Sequence, residues 1–256
     1  MAMSRPFHKR LVEMCPLFSG SMWCRVELNV TTEILSPAAR LVSAYEGKAT
    51  SYFTNARADF VRLLPRDPSA RILEIGCGNG ATGALAMARG RAGHYAGVEL
   101  MESYGNAARE ILSEVLIGDA ERMDFNWQPA EFDALILSEV LEHLVEPGVL
   151  LRRLSRFIRP GGMVLASSPN IAHWRVLREL AKGRFDLADQ GVFDRTHLRW
   201  FTPATFCAMF ENAGFRIDHV GPVTPFSPRV ERLSRWTSGR IDHLFMTQIA
   251  VQGSRR

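Results

Sequence analysis

From about residue 70 onward, short, mainly apolar runs alternate with helical segments. The runs are Arg71 to Ile75, Tyr95 to Leu100, Val115 to Gly118, Phe132 to Leu137 and Met163 to Ser167, and each predicts a strand buried on both faces. Helical segments between them make the alternation that specifies a parallel sheet covered on both sides, an α/β fold. The helix over Val149 to Ile158 is expected to stop at Arg159-Pro160-Gly161-Gly162, which turns the chain back into the sheet. Thr202-Pro203 reads as N-cap and first helical residue, and Gly214 as the stop. Phe215 to Val220 and Phe245 to Gln252 then read as a closing strand pair.

Upstream, a helix from about Asn55 to Leu64 is stopped by Pro65, and Thr32 to Glu46 has helical spacing. The organisation expected is an N-terminal helical cap over 1–54 and an α/β domain over 55–256. The stretch from Ser168 to Phe201 is too long for a simple connection and rich in His, Trp, Arg and Asp, so it is expected to be an insertion that shapes a substrate site.

Composition narrows this picture only a little. The 256 residues, 46% hydrophobic and 23% charged, suffice for one large core. The absence of a long apolar stretch and of an apolar segment at the start predicts a soluble, cytoplasmic protein without a membrane span. Cys15, Cys24, Cys77 and Cys207 are scattered, without a C-x-x-C pair, and read as reduced thiols. The net charge is +4, and six arginines in the last 35 residues face only Glu231 and Asp242, either a solvated face or help for an anionic substrate.

The candidate chemistry begins at Glu74-Ile75-Gly76-Cys77-Gly78-Asn79-Gly80, directly after the first strand. Glycines there let the backbone turn sharply and approach a ligand closely. Gly76-x-Gly78-x-x-Ala81 also satisfies the dinucleotide fingerprint, so a nicotinamide-dependent oxidoreductase is an alternative. Glu99, at the end of the second strand, can accept both hydrogen bonds of a ribose diol, and Asp119, after the third, can accept from an adenine amino group.

In the order EIGCGNG, GVEL, GDAERMDF, FDALILSEVLEHL and RPGGMVLASSPN, the chain resembles the class I S-adenosylmethionine-dependent methyltransferases from about Arg71 to Gly214. The resemblance implies a doubly wound, Rossmann-like sheet of seven mostly parallel strands with the last antiparallel. It implies that Glu74 and the Gly76, Cys77, Gly78 and Gly80 loop surround the methionine part of S-adenosylmethionine. Glu99 and Leu100 would take the ribose, Asp119 and Ala120 the adenine, and Ser138 would face the sulfonium.

After Ser138, a helix would carry Glu139, Glu142 and His143 at i, i+3 and i+4 on one face at the carboxyl edge of the sheet. Either the glutamates favour the positive helix end while His143 packs locally, or the three are ligands. The E-x-x-E-H spacing is similar to metal-assisted O-methyltransferases of the ubiquinone-biosynthesis type and to RNA 2′-O-methyltransferases, in which a further histidine, here matched by His197, joins from the insertion. Oxygen and imidazole ligands suit a divalent metal such as magnesium. Without one, His143 or His197 is the candidate general base. His173, beside Trp174, is either a further base or part of a surface pair.

Trp174, Phe185, Phe193, Trp200 and Phe201 are candidates to stack on a substrate ring, and Arg175, Arg178, Arg184, Arg195 and Arg199 to bind its anionic groups. SPNIAHW and DRTHLRWFT resemble glycan-associated methyltransferases. The acceptor expected is a sugar or other polyhydroxylated small molecule. An RNA 2′-hydroxyl, though no separate RNA-binding module or dense basic stripe is visible, and a non-catalytic cofactor-binding scaffold are the alternatives; DNA is not expected.

Overall fold

The structure, a computed structural model, describes Ala38, Leu41, Val42, Tyr45 and residues 55–256. The four isolated positions are helical, in the stretch where helical spacing was read; the rest of that stretch, Cys15 and Cys24 lie outside the described residues. The described residues all belong to one compact unit.

Helix α1 (Ala58–Leu63) leads to β1 (Arg71–Ile75), α2 (Ala81–Ala88), β2 (His94–Glu99), α3 (Glu102–Arg109), β3 (Glu114–Ile117) and β4 (Phe132–Ser138). Then follow α4 (Pro147–Ser155), β5 (Ile158–Pro169), α5 (Trp174–Ala181), α6 (Pro203–Asn212), β6 (Phe215–Pro222), α7 (Pro228–Thr237) and β7 (Gln248–Arg255). The seven strands form one sheet in the order β3-β2-β1-β4-β5-β7-β6, parallel except for β7, which runs antiparallel to both neighbours. The reversal of direction beside β1, between β2 and β4, is the switch point at which open α/β sheets hold ligands.

The alternation of side chains along each strand explains both apolar faces. On β4, Leu135 and Leu137 join Leu150, Leu154, Phe206 and Phe210 on one side. Ala134 and Ile136 join Phe60, Leu64, Ala86 and Ala108 on the other. Burial on both faces is what a parallel sheet requires of its strands.

The reading of Arg159-Pro160-Gly161-Gly162 as a turn before the strand is corrected. Ile158 already pairs with Phe132, and the next pair is Met163 with Ala134, so five positions of β5 oppose two of β4. The chain loops out within the strand, with Gly161 at φ +74°, and rejoins the ladder. Helix α7, between β6 and β7, was not anticipated; it has no buried residue to set a core-facing period. Thr202 does cap α6, its hydroxyl accepting from Thr205 N at 3.2 Å while Thr205 Oγ1 accepts from Thr202 N at 3.0 Å.

Candidate functional site

A cavity of about 750 Å³ opens at the carboxyl ends of β1, β2 and β4. Its first wall is the glycine loop. Gly76, Gly78 and Gly80 all have positive φ. A Cβ on Gly76 would lie 2.5 Å from Val140 Cγ2, so no side chain fits between the loop and the turn after β4. Gly78 N donates to Glu99 Oε2 and Met101 N to Glu99 Oε1, both at 2.9 Å, which locks the carboxylate at the end of β2. Burial raises the pKa of Glu99. Glu74, 2% exposed, accepts from the Tyr95 hydroxyl at 2.9 Å, and burial pushes its carboxyl up to about 7.

Glu74, Gly76, Cys77, Gly78, Glu99, Leu100, Asp119, Ala120 and Ser138 all line the cavity. Gly80 is not among the lining residues; at φ +84° it starts α2, packed against Ala108 and Leu112, and so shapes the loop from behind. Burial holds the Cys77 thiol far above its ordinary range, which suits packing rather than reactivity.

The turn after Ser138 departs from the expected helix. Glu139 sits at φ +53°, a left-handed conformation, and a single 3-10 turn covers Leu141–His143. The cause is competition for backbone partners. Leu198 N and Arg199 N donate to Glu142 O at 2.8 and 3.0 Å, while Val145 N and Glu146 N donate to the Glu121 carboxylate. The groups that would continue a helix are therefore taken by neighbours, and α4 starts only at Pro147.

This turn nevertheless assembles three of the four expected ligands. Atoms of Glu142, His143 and His197 lie within 4.8 Å of one another, all buried. His143 Nδ1 donates to Thr196 O and His197 Nδ1 to Val192 O, each at 3.1 Å. A carbonyl only accepts, so in the neutral form of each ring the lone pair is on Nε2. Burial, followed by the charge of Glu139, holds the Glu142 carboxyl well above the usual range. Its Oε2 accepts from Ser168 Oγ at 3.1 Å, while Oε1, like Glu139 Oε1, is buried without a hydrogen-bond partner. Glu139 itself stands outside the three-residue group, held by Gln248 Nε2 at 3.1 Å.

The insertion contributes Gln190, Gly191, Val192, Asp194 and His197 to the cavity wall, and Tyr45 meets His143 edge-on at 5.6 Å. The aromatic and arginine candidates do not line it. Phe185 packs on Phe193 and Trp200, Phe201 on Phe206, and Trp174 points to solvent. Arg184 pairs with Glu179, Arg195 with Asp189 at 2.9 Å, and Arg199 donates to Val145 O. His173 caps α5, accepting from Arg175 N, and stands outside the large cavity.

Arg57 is among the lining residues that went unread in the sequence. Arg57 Nη1 donates to Ser138 Oγ and, at 2.7 Å, to Ser167 Oγ, while Asp59 holds its other edge. No motif surrounds Arg57; its partners lie 81 and 110 positions away.

Sheet order, glycine cradle and the acids at the strand ends meet at one cavity, and comparison with known proteins identifies the fold family. A family model described as "Methyltransferase domain" matches residues 49–220. The chain belongs to the class I methyltransferase family. Among its relatives, the ubiquinone biosynthesis O-methyltransferase of Aeromonas salmonicida (strain A449) is 30% identical over 154 residues, 57% of this chain and 63% of that protein. The trans-aconitate 2-methyltransferase of Azoarcus sp. (strain BH72) is 30% identical over 117 residues, 45% of this chain and 46% of its own. The matched region thus spans less than two thirds of either relative. A S-adenosylmethionine-dependent methyltransferase from Archaeoglobus fulgidus superposes with a TM-score of 0.57 at 19% identity, covering 80% of this chain and 97% of that one. Another from Mesorhizobium loti gives 0.53 at 20% identity, covering 82% and 99%. At these identities the two structures show the fold.

Proposed function

We propose that the chain transfers the methyl group of S-adenosylmethionine to a hydroxyl oxygen of a small polyhydroxylated acceptor, such as a sugar, with a divalent cation at Glu142, His143 and His197. The observation that carries this reading is the continuity of one cavity from the glycine cradle and Glu99 to the buried carboxylate and two imidazoles. The residues fit the donor: the cradle at Gly76 excludes a Cβ, Glu99 keeps lone pairs for ribose hydroxyls, and Asp119 lies beyond it on the same wall. They also fit a cation, because Glu142 Oε1 is buried without a donor and the charge burial disfavours is compensated by a metal. The name of the Aeromonas salmonicida relative favours oxygen as the methylated atom.

When bound, S-adenosylmethionine supplies an electrophilic methyl, and a divalent cation lowers the pKa of a coordinated hydroxyl. The chain's own part is positioning. Glu99, fixed by two backbone amides, sets the ribose end; Ser138, fixed by Arg57, closes the wall at the end of β4. The carbonyls of Thr196 and Val192 orient both imidazoles, and the segment that carries those carbonyls also lines the cavity. Where no cation binds, His143 or His197 takes the acceptor proton through Nε2.

Three measurements test this. Calorimetry should show binding of S-adenosylmethionine and none of NAD; tight binding of NAD alone defeats the donor assignment. Metal analysis after dialysis against manganese should find the ion in wild type, with a loss of about 10-fold or more in affinity for Glu142→Ala and His197→Ala. Equal occupancy in all three proteins, or none in any, removes the cation. Methylation of an RNA 3′ end in preference to sugars would move the acceptor to RNA.

A further inference from the structure

The insertion carries a surface that the cavity does not use. Helix α5 segregates its residues: Trp174, Leu177 and Leu180 lie along one side and Arg175, Arg178 and Glu179 along the other. Val176 is the one residue of α5 that is buried, yet Trp174, Leu177 and Leu180 are each about two fifths exposed. The apolar side thus faces water. Phe185 and Leu187, just beyond the helix, are exposed as well.

The flank of this apolar stripe is positively charged. From 174 to 184 the chain has Arg175, Arg178, Lys182 and Arg184 against Glu179 alone. The Arg175 and Arg178 guanidiniums lie 5.5 and 5.4 Å from the Trp174 ring centroid, so the cations border the stripe directly. A second helix of similar make-up leaves the same edge of the sheet. β6 ends at Pro222 beside Ile249, and β5 ends at Pro169 beside Gln248, so α5 and α7 both begin from the carboxyl edge that holds the cavity. α7 has no buried residue, presents Arg229, Arg232 and Arg235 against Glu231, and exposes Trp236 to 81%. Asn170 Nδ2 donates to His243 O and Met246 O, fastening the two excursions together at their base.

We propose that α5, assisted by α7, docks this face of the protein on an anionic phospholipid surface. The charge selects the sign of the partner, and the apolar stripe selects its kind. A short amphipathic helix with Trp and Leu outward and Arg at the border lies in the plane of an interface, its rings among the acyl chains and its guanidiniums among the phosphates. A nucleic acid would use the arginines and the tryptophans but leaves Leu177, Leu180 and Leu187 without a role. No helix among the described residues is long and apolar enough to cross a membrane, and the proposed contact is one of α5 and α7 lying along the surface. Because the same segment supplies Gln190, Val192 and His197 to the cavity wall, docking brings the cavity rim to the headgroup layer.

The test uses the full chain and needs no methyl acceptor, so it stands apart from the transfer reaction. Cosedimentation is measured with vesicles of phosphatidylcholine alone and of equal parts phosphatidylcholine and phosphatidylglycerol, at low and high salt. Wild type should sediment with the anionic vesicles, with a blue shift of tryptophan fluorescence, and less so at high salt. Trp174→Ser/Leu177→Ser should weaken binding about tenfold or more, and Arg175→Glu/Arg178→Glu should weaken it mainly at low salt. All four positions are exposed or half-exposed, and circular dichroism checks that the variants fold. Absence of binding to either vesicle overturns the proposal, as does binding that Trp174→Ser/Leu177→Ser leaves unchanged. Retention of a single-stranded RNA oligonucleotide, insensitive to Trp174→Ser/Leu177→Ser and without vesicle binding, overturns it in favour of nucleic acid.

Discussion

Replacing Gly76 by alanine tests whether the glycine loop and the turn after β4 are one mechanical unit. Gly76 has φ +75°, and a Cβ there would meet Val140 Cγ2 at 2.5 Å. The left-handed backbone costs a residue with a Cβ about 1–2 kcal/mol, and forcing a methyl into occupied space costs about 1–3 kcal/mol. Gly76→Ala should therefore lose about 2–5 kcal/mol of stability in urea denaturation. Val140→Ala removes two methyl groups from a half-buried position and should cost about 1 kcal/mol by itself. In Gly76→Ala/Val140→Ala the clash disappears but the backbone strain stays, so the double variant should be more stable than additivity predicts by about 1–3 kcal/mol. Calorimetry with S-adenosylhomocysteine should rank the variants in the same order. A Gly76→Ala protein within about 0.5 kcal/mol of wild type, or strictly additive variants, would refute the argument.

The remaining predictions concern burial, capping and a long-range tie. Burial pushes the Glu74 carboxyl from its ordinary 4.5 up to about 7, so the folded state holds the proton more tightly and the contribution of this group to stability falls as pH rises from 4.5 through 7. Glu74→Gln cannot lose that proton, and it should gain on wild type by about 3 kcal/mol between pH 5 and pH 8; parallel denaturation curves at the two pH values contradict this. Thr202→Ala removes the hydroxyl that caps α6 and should lower stability by about 1 kcal/mol, with Thr202→Ser close to wild type. Arg57→Leu leaves the Asp59 carboxylate without its fork and two serine hydroxyls without their donor, and should cost about 1–3 kcal/mol in the same assay.

Much of the fold was legible because its determinants are local. β1 and β4 read as apolar runs since a strand buried on both faces has no polar side to show, and both stand within a residue of where the pattern put them. Thr202-Pro203 and Gly214 marked α6 for a similar reason, since a cap is satisfied within three or four residues of itself. The loop-out at residues 159–162 escaped because proline and glycines signal a turn without saying that the chain resumes the same ladder beyond it. Helix α7 escaped because its apolar side has no core to face.

At the site the division follows the same line. Positions of Gly76, Glu99 and Asp119 at strand ends are set by the chain's own order, and the structure gathers them on one cavity wall. The expected face of Glu139, Glu142 and His143 assumed a helix that only local hydrogen bonds would build. Those bonds go elsewhere: Leu198, Arg199 and Glu121, distant in sequence, satisfy the groups around Glu142, and Ser167 O accepts from Glu139 N. By itself the sequence determined the alternation of elements, the glycine cradle and the acids at the strand ends, because period, cap and turn chemistry act over a few residues. Only the tertiary structure decided that His197 completes a group with Glu142 and His143, that Glu139 stands aside, and that Arg57 reaches Ser138. Each of those is a contact across 50 residues or more, made by packing that no local pattern encodes.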